Sequence, residues 1–181
     1  AEKDFNAAEA VVDLGVGKNM VSAIRYWFKS FGLNVDSENN WIADYILNSD
    51  TGKDPYVEDL GTLWLLHFLL VYSEEATLYN MFFIDFQKER RVFERSHMVS
   101  FVKRKMIEAQ KYSLFNENTV KKDVGVLLLN YCLPRNPQSN EDFSTLLMDL
   151  DLLRQYDKDD DIEKQNKYFF NPGSCERPRG E

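Results

Sequence analysis

Between about Val57 and Tyr72 nearly every residue is apolar, whichever side of a helix it would occupy. A helix built from such a run has no face to give to water, so it is expected at the buried centre of a domain. It does not reach across a membrane: a span needs roughly 18 consecutive apolar residues, and Leu63 to Val71 is the nearest approach. The chain opens with Glu2, Lys3 and Asp4 ahead of a mixed segment, not with the apolar core of a secretory leader. A cytoplasmic protein with no membrane contact is the expectation. With 181 residues the chain can bury one substantial core and a smaller second one.

Around that central run the periodicity predicts a mainly α fold. A short helix is expected over residues 5–14, with Ala8, Val11, Val12 and Leu14 facing a core. Gly15-Val16-Gly17 interrupts it, and a stronger helix follows from about Asn19 to Phe31, stopped by Gly32. Met20, Ile24, Trp27, Phe28 and Phe31 recur at steps of three and four and define its inward stripe. Lys18, Ser22, Arg25 and Lys29 fall on the opposite face, so Arg25 is expected outside while Trp27 and Phe28 are buried. Helix, glycine turn and helix in that order is the pattern of a helix-turn-helix. Leu33 to Asn40 has the polar turn residues of a short wing, and Trp41 to Leu47 reads as a short helix or strand. Further helices are expected at Glu74–Phe83, Met98–Ala109, Thr119–Tyr131 and, after Pro134 and Pro137, Glu141–Gln155. The organisation is then a winged helix-turn-helix region at 5–50, a helical domain at 51–156, and an acidic linker with an incomplete C-terminal segment at 157–181.

The formal charge of −8 argues against nucleic-acid binding by the molecule as a whole, but the charge is segregated. Between residues 88 and 105 seven cations (Lys88, Arg90, Arg91, Arg95, Lys103, Arg104 and Lys105) oppose Glu89 and Glu94, a net of +5. Between 141 and 163 nine acids oppose Arg154 and Lys158, a net of −7. The first segment interleaves Phe93 and Phe101 with its cations, a pattern shared by nucleic-acid surfaces and by ordinary solvated helix pairs. Arg90 and Arg91 are its candidate DNA contacts. On the helix after the glycine turn, Lys18, Ser22, Arg25 and Lys29 are the groups for phosphates and base edges.

Catalytic signals are sparser. Gly15-Val16-Gly17-Lys18 is no phosphate loop, because Val12 and Asn19 stand where that motif needs Gly and Ser or Thr. Cys132, Cys175, His67 and His97 are too scattered for a zinc site, and two cysteines make no disulfide framework. His97 suits a cap on the helix beginning near it. Asp54, Glu58 and Asp59 cluster near the start of the apolar helix, with His67 along it. They are the candidate catalytic set. No cofactor motif is evident beyond a Mg²⁺ or Mn²⁺ ion, the kind of metal that oxygen donors hold. The competing reading has Asp54 or Glu58 cap the free amides at the helix start, and gives His67 a hydrogen bond in the core.

Longer phrases carry a family resemblance. Leu14-Gly15-Val16-Gly17-Lys18-Asn19-Met20-Val21, followed by Ile24-Arg25-Tyr26-Trp27, resembles the opening motif of the SspB-like proteins of bacterial DNA phosphorothioation. Asp54-Pro55-Tyr56-Val57-Glu58-Asp59, followed by Thr62-Leu63-Trp64-Leu65-Leu66-His67, is similar to that family's second hallmark. Lys122-Asp123-Val124 with Tyr131 is a looser third match, and the resemblance spans roughly residues 8–155. It implies a winged-helix region, duplex DNA as ligand, other proteins of an antiphage defence system as partners, and the DNA-nicking activity described for some members. The family's usual Arg-His-Glu-Thr-Phe-like opening has no counterpart before Phe5, so a site that needs it is incomplete here. The alternative is a non-enzymatic helical adaptor whose exposed faces hold partner proteins.

Overall fold

A computed structural model of the protein describes residues 17–33, 40–73, 75–132, 146–156 and 167–172, with the side chains of Lys18 and Asn19 left out. The expected helix at 5–14, its Gly15–Val16 turn and most of the wing lie outside these residues. The chain divides into two compact units, Ala1–Thr77 and Leu78–Glu181.

The described residues of the first unit form helices joined by turns. Helix α1 (Lys18–Ser30) ends at Phe31, and Gly32 takes the left-handed conformation, φ 66°, that turns the chain away. Its inward side is narrower than the periodicity predicts. Val21, Ser30 and Phe31 are buried, but Met20, Ile24, Trp27 and Phe28 are only half-buried. Trp27 stacks on Phe31 at 5.8 Å, so the large ring leans along the helix instead of plunging beneath it. Helix α2 (Asn40–Leu47) resolves the helix-or-strand alternative and buries Ile42 and Ile46, one turn apart. Helix α3 (Leu60–Tyr72) is the apolar run. It starts three residues later than expected, because Val57 sits at φ 56°, a conformation that no helix contains. Thr62, Leu63, Leu66, Leu70 and Val71 are buried, yet the helix is not enclosed on all sides.

The second unit begins where the sequence predicts one helix at Glu74–Phe83. Instead α4 (Thr77–Asn80) passes into a π-helical segment, Met81–Phe86, and then α5 (Gln87–Glu89). The wider turn leaves carbonyls in poorer register, and the Gln87 side chain donates to the Phe83 carbonyl. The segment places Phe82, Phe83 and Phe86 in the core. Phe82 lies 4.8 Å from Phe170 and 5.4 Å from Phe93, Phe86 lies 5.2 Å from Phe101, and Phe83 lies 4.9 Å from Tyr131. Edge-to-face and tilted contacts dominate, as the ring quadrupoles prefer. Helix α6 (Arg95–Glu108) opens on a capping box in which the Glu94 amide donates to His97 Nδ1 at 3.1 Å, the role foreseen for His97. Helix α7 (Glu117–Tyr131) is capped by Asn116, whose side chain accepts from the amides of Asn118 and Thr119.

A three-stranded antiparallel sheet covers the aromatic core, in the order β1 (Val92–Phe93), β3 (Tyr168–Phe170), β2 (Leu153–Gln155). Phe93 faces Tyr168, and Leu153 faces Phe170; all four are buried on the inner side. The helix expected at Glu141–Gln155 is therefore corrected over its described part. Met148–Leu150 makes one 3₁₀ turn, Asp151 reverses the chain at φ 50°, and β2 follows. The corner is held by Arg154, which donates to both Asp151 carboxylate oxygens, and by Asn171, which donates to the Asp151 carbonyl at 2.9 Å.

Candidate functional site

The acidic cluster is built from a turn that doubles back on α2. Asn48 accepts from the amides of Asp50 and Thr51, and the amides of Lys53 and Asp54 return to the carbonyls of Tyr45 and Ile46. Gly52 is required in this fold-back: a Cβ there would run into the carbonyl oxygens of Asn48 and Ile46. The turn aims the Asp54 carboxylate forward. Its two oxygens accept separately from the amides of Glu58 and Asp59, each at 2.9 Å, across the left-handed Val57. These bonds, helped by the Thr62 side chain, hold the carboxyl below the usual carboxylate range.

Asp59 is the N-cap of α3, its side chain accepting from the Gly61 amide at 2.7 Å. Capping thus belongs to Asp59 and not, as expected, to Asp54 or Glu58: the left-handed Val57 leaves Asp54 gripping the approach to the helix, while Glu58 is exposed beside them. His67 lies farther along α3, half-buried, with Trp64 edge-on at 5.8 Å. Burial pushes its imidazole down to about 4, so the ring is neutral at physiological pH. Among the described residues no three His, Cys, Asp or Glu side chains come together as a metal site.

The basic groups are divided between the two units. On α1, Ser22 is exposed, and Lys29 is exposed but tied to Glu75 at 2.9 Å. Such a pair is worth at most about 1 kcal/mol and gives way readily to a competing anion. Arg25, expected outside, is half-buried; its Nε is enclosed, with no hydrogen-bond partner among the described residues. Lys18 opens the helix.

In the second unit the +5 segment proves to be two unlike halves. Arg104 is neutralised by Glu89 at 2.6 Å and flanked by Glu108, while Lys105 lies 3.7 Å from Asp85 and 3.8 Å from Glu108. Arg90 and Arg91, leading into β1, are exposed, and among the described residues neither forms an ion pair. Arg95 adds a guanidinium whose Nε donates to the Tyr168 hydroxyl at 3.3 Å. Sequence reasoning counted the charges but had no local signal for a Glu89–Arg104 pair formed across fifteen residues.

Residues 1–173 match the model of DUF4007, a family described as proteins of unknown function. The chain belongs to this family. Two solved structures share the fold: a magnesium ion-bound SspB, with a TM-score of 0.72, and an SspB structure at 0.73. Each is 28% identical in sequence, and the match covers 94% of this chain and 52% of the other. The DUF4007 chain is therefore SspB-like and spans about half the length of the SspB chains. No curated protein matches it.

Proposed function

We propose that this chain is a DNA-binding module of a phosphorothioation-linked antiphage component, working with duplex DNA and with other proteins of that system. The observation that carries the reading is the likeness to SspB across 94% of the chain, the same family that the motifs at 14–27 and 54–67 resemble. The chemistry fits through its cations. Arg90 and Arg91 are free to meet phosphates, Ser22 and Lys29 offer a second set of contacts on α1, and Lys18 and Arg25 belong to that helix. In this reading α1 is the second helix of a winged helix-turn-helix, lying in the major groove.

Binding of this kind releases counterions, so its affinity falls steeply as salt rises. Fluorescence anisotropy with a duplex oligonucleotide over a salt series tests it. The paired substitution Arg90→Ala with Arg91→Ala is expected to reduce the salt slope by about one unit for each phosphate that the two guanidinium groups neutralise. Absence of duplex binding in dilute buffer overturns the proposal.

One of the similar structures is magnesium-bound, which raises the question of a metal here. A Mg²⁺ ion needs several oxygen donors converging on one point. The Asp54 oxygens are each engaged by an amide, as is Asp59 Oδ1, and no third donor joins them among the described residues. This set does not fit a magnesium centre. A role for Asp54, Glu58, Asp59 and His67 in nicking would rest on an effect of Glu58, the one of the three acids left free of these amide bonds.

The adaptor reading keeps one specific support: Trp41 and Tyr45, one turn apart on α2, both stand largely in solvent.

A further inference from the structure

Helix α3 is composed for burial, yet one face of it is open. Leu60, Trp64, Phe68 and Tyr72 follow one another at intervals of four and form a single row. They are 52%, 46%, 54% and 62% exposed, and the Phe68 and Tyr72 rings pack on each other at 4.6 Å in that exposed row. The opposite side of the same helix, with Leu63, Leu66 and Leu70, is buried. No Asp, Glu, Lys or Arg occurs anywhere in Leu60–Tyr72. Contiguous apolar surface of this kind marks an interaction site.

We propose that this face docks a second copy of the chain, with the two α3 helices antiparallel about a two-fold axis midway between Trp64 and Phe68. The row is its own complement under that operation: Leu60 comes opposite Tyr72, and Trp64 opposite Phe68. A two-fold contact requires such self-matching. The absence of charge favours a twin further, because identical faces that carry charge would set like against like, and a charged partner would find no counter-charge here.

The area sets the strength. An aromatic side chain offers about 150–250 Å², so three that are half exposed, with Leu60, supply about 400 Å² per copy. That is about 800 Å² in all, against the roughly 1,200 Å² of a stable interface, so the dimer is transient. The rest of the molecule opposes it, since each copy carries a formal −8. Salt screens that repulsion and strengthens association, the opposite of its effect on DNA binding.

Sedimentation equilibrium of the full chain from roughly 10 μM to 1 mM, a range suited to a weak contact, tests the proposal. A reversible monomer–dimer equilibrium is expected, tightening several-fold as NaCl is raised. Phe68→Glu should abolish it with the helical circular dichroism unchanged, and Val126→Glu, on an exposed position of α7, should leave it intact. If Phe68→Glu disturbs folding, Trp64→Lys serves as the second probe. A monomer throughout the range, a dimer that survives both α3 substitutions, or association that salt weakens would each overturn it.

Discussion

Asn130, buried in α7, donates from Nδ2 to the hydroxyl of Tyr79 in α4 across 2.6 Å. The two residues are 51 positions apart, and both side chains are enclosed by the aromatic core of the second unit. A polar contact so placed fixes the packing of α7 on the segment that leads into the π-helical turn. Asn130→Leu takes this donor away from the enclosed hydroxyl, a loss of about 1–3 kcal/mol. Urea denaturation should show a lower midpoint, and a cycle with Tyr79→Phe should recover part of the loss. Additive effects of the two substitutions would refute the coupling.

The acidic turn separates structure from chemistry at single residues. Asp54→Asn keeps one neutral accepting oxygen and sets an NH2 group, itself a donor, against the other amide, and is expected to lower the melting temperature at neutral pH. The sign follows from its depressed carboxyl: the stability it contributes is present above the unfolded value near 3.9 and is lost as pH falls through the lower folded value. The gap between wild type and Asp54→Asn should therefore narrow in acid. Glu58→Gln is expected to leave both melting and any Mg²⁺- or Mn²⁺-dependent nicking of plasmid DNA unchanged. Nicking that disappears in Glu58→Gln while the fold persists would make this turn the active site.

His67 gives the first unit a second acid-sensitive element. Burial lowers its folded value to about 4, below the ordinary 6.5 of the unfolded chain. Above 6.5 both states are neutral and nothing changes. Between 6.5 and 4 the unfolded state binds a proton that the folded state refuses, so stability falls by at most about 1.4 kcal/mol per pH unit. Guanidinium midpoints measured from pH 7.5 to 4.5 should decline in the wild type and decline less in His67→Gln. Equal slopes would place the titration elsewhere.

Patterns confined to a few turns of chain were legible. The apolar run announced α3, the three- and four-residue steps gave α6 and α7 to within a few residues, and His97 was recognisable as a capping partner. The sheet was not, since β1 has two residues and the other strands three each, too few to show an alternation. Their pairing is long-range: Val92 meets Phe169 and Arg154 meets Phe169. The same distinction governs the candidate sites. Acids before an apolar helix rightly suggested capping, but which acid caps depended on Val57 adopting a left-handed turn, a conformation no β-branched residue advertises. Likewise Arg90 and Arg91 form no ion pair among the described residues, while Glu89, Asp85 and Glu108 lie against Arg104 and Lys105.

The order β1-β3-β2 has a temporal side. A chain made from its N-terminus presents Val92–Phe93 early and Leu153–Gln155 much later, but neither strand pairs with the other. Their common partner, Tyr168–Phe170, is the last strand of the described chain to be synthesised. Until it emerges from the ribosome, Phe82 and Phe93 lack the Phe170 ring that packs against both, and the inner faces of two unpaired strands stay uncovered. Closure of the second unit is thus deferred until Tyr168–Phe170 has been made, and a nascent chain halted before Tyr168 carries an open aromatic cluster of the kind that chaperones hold.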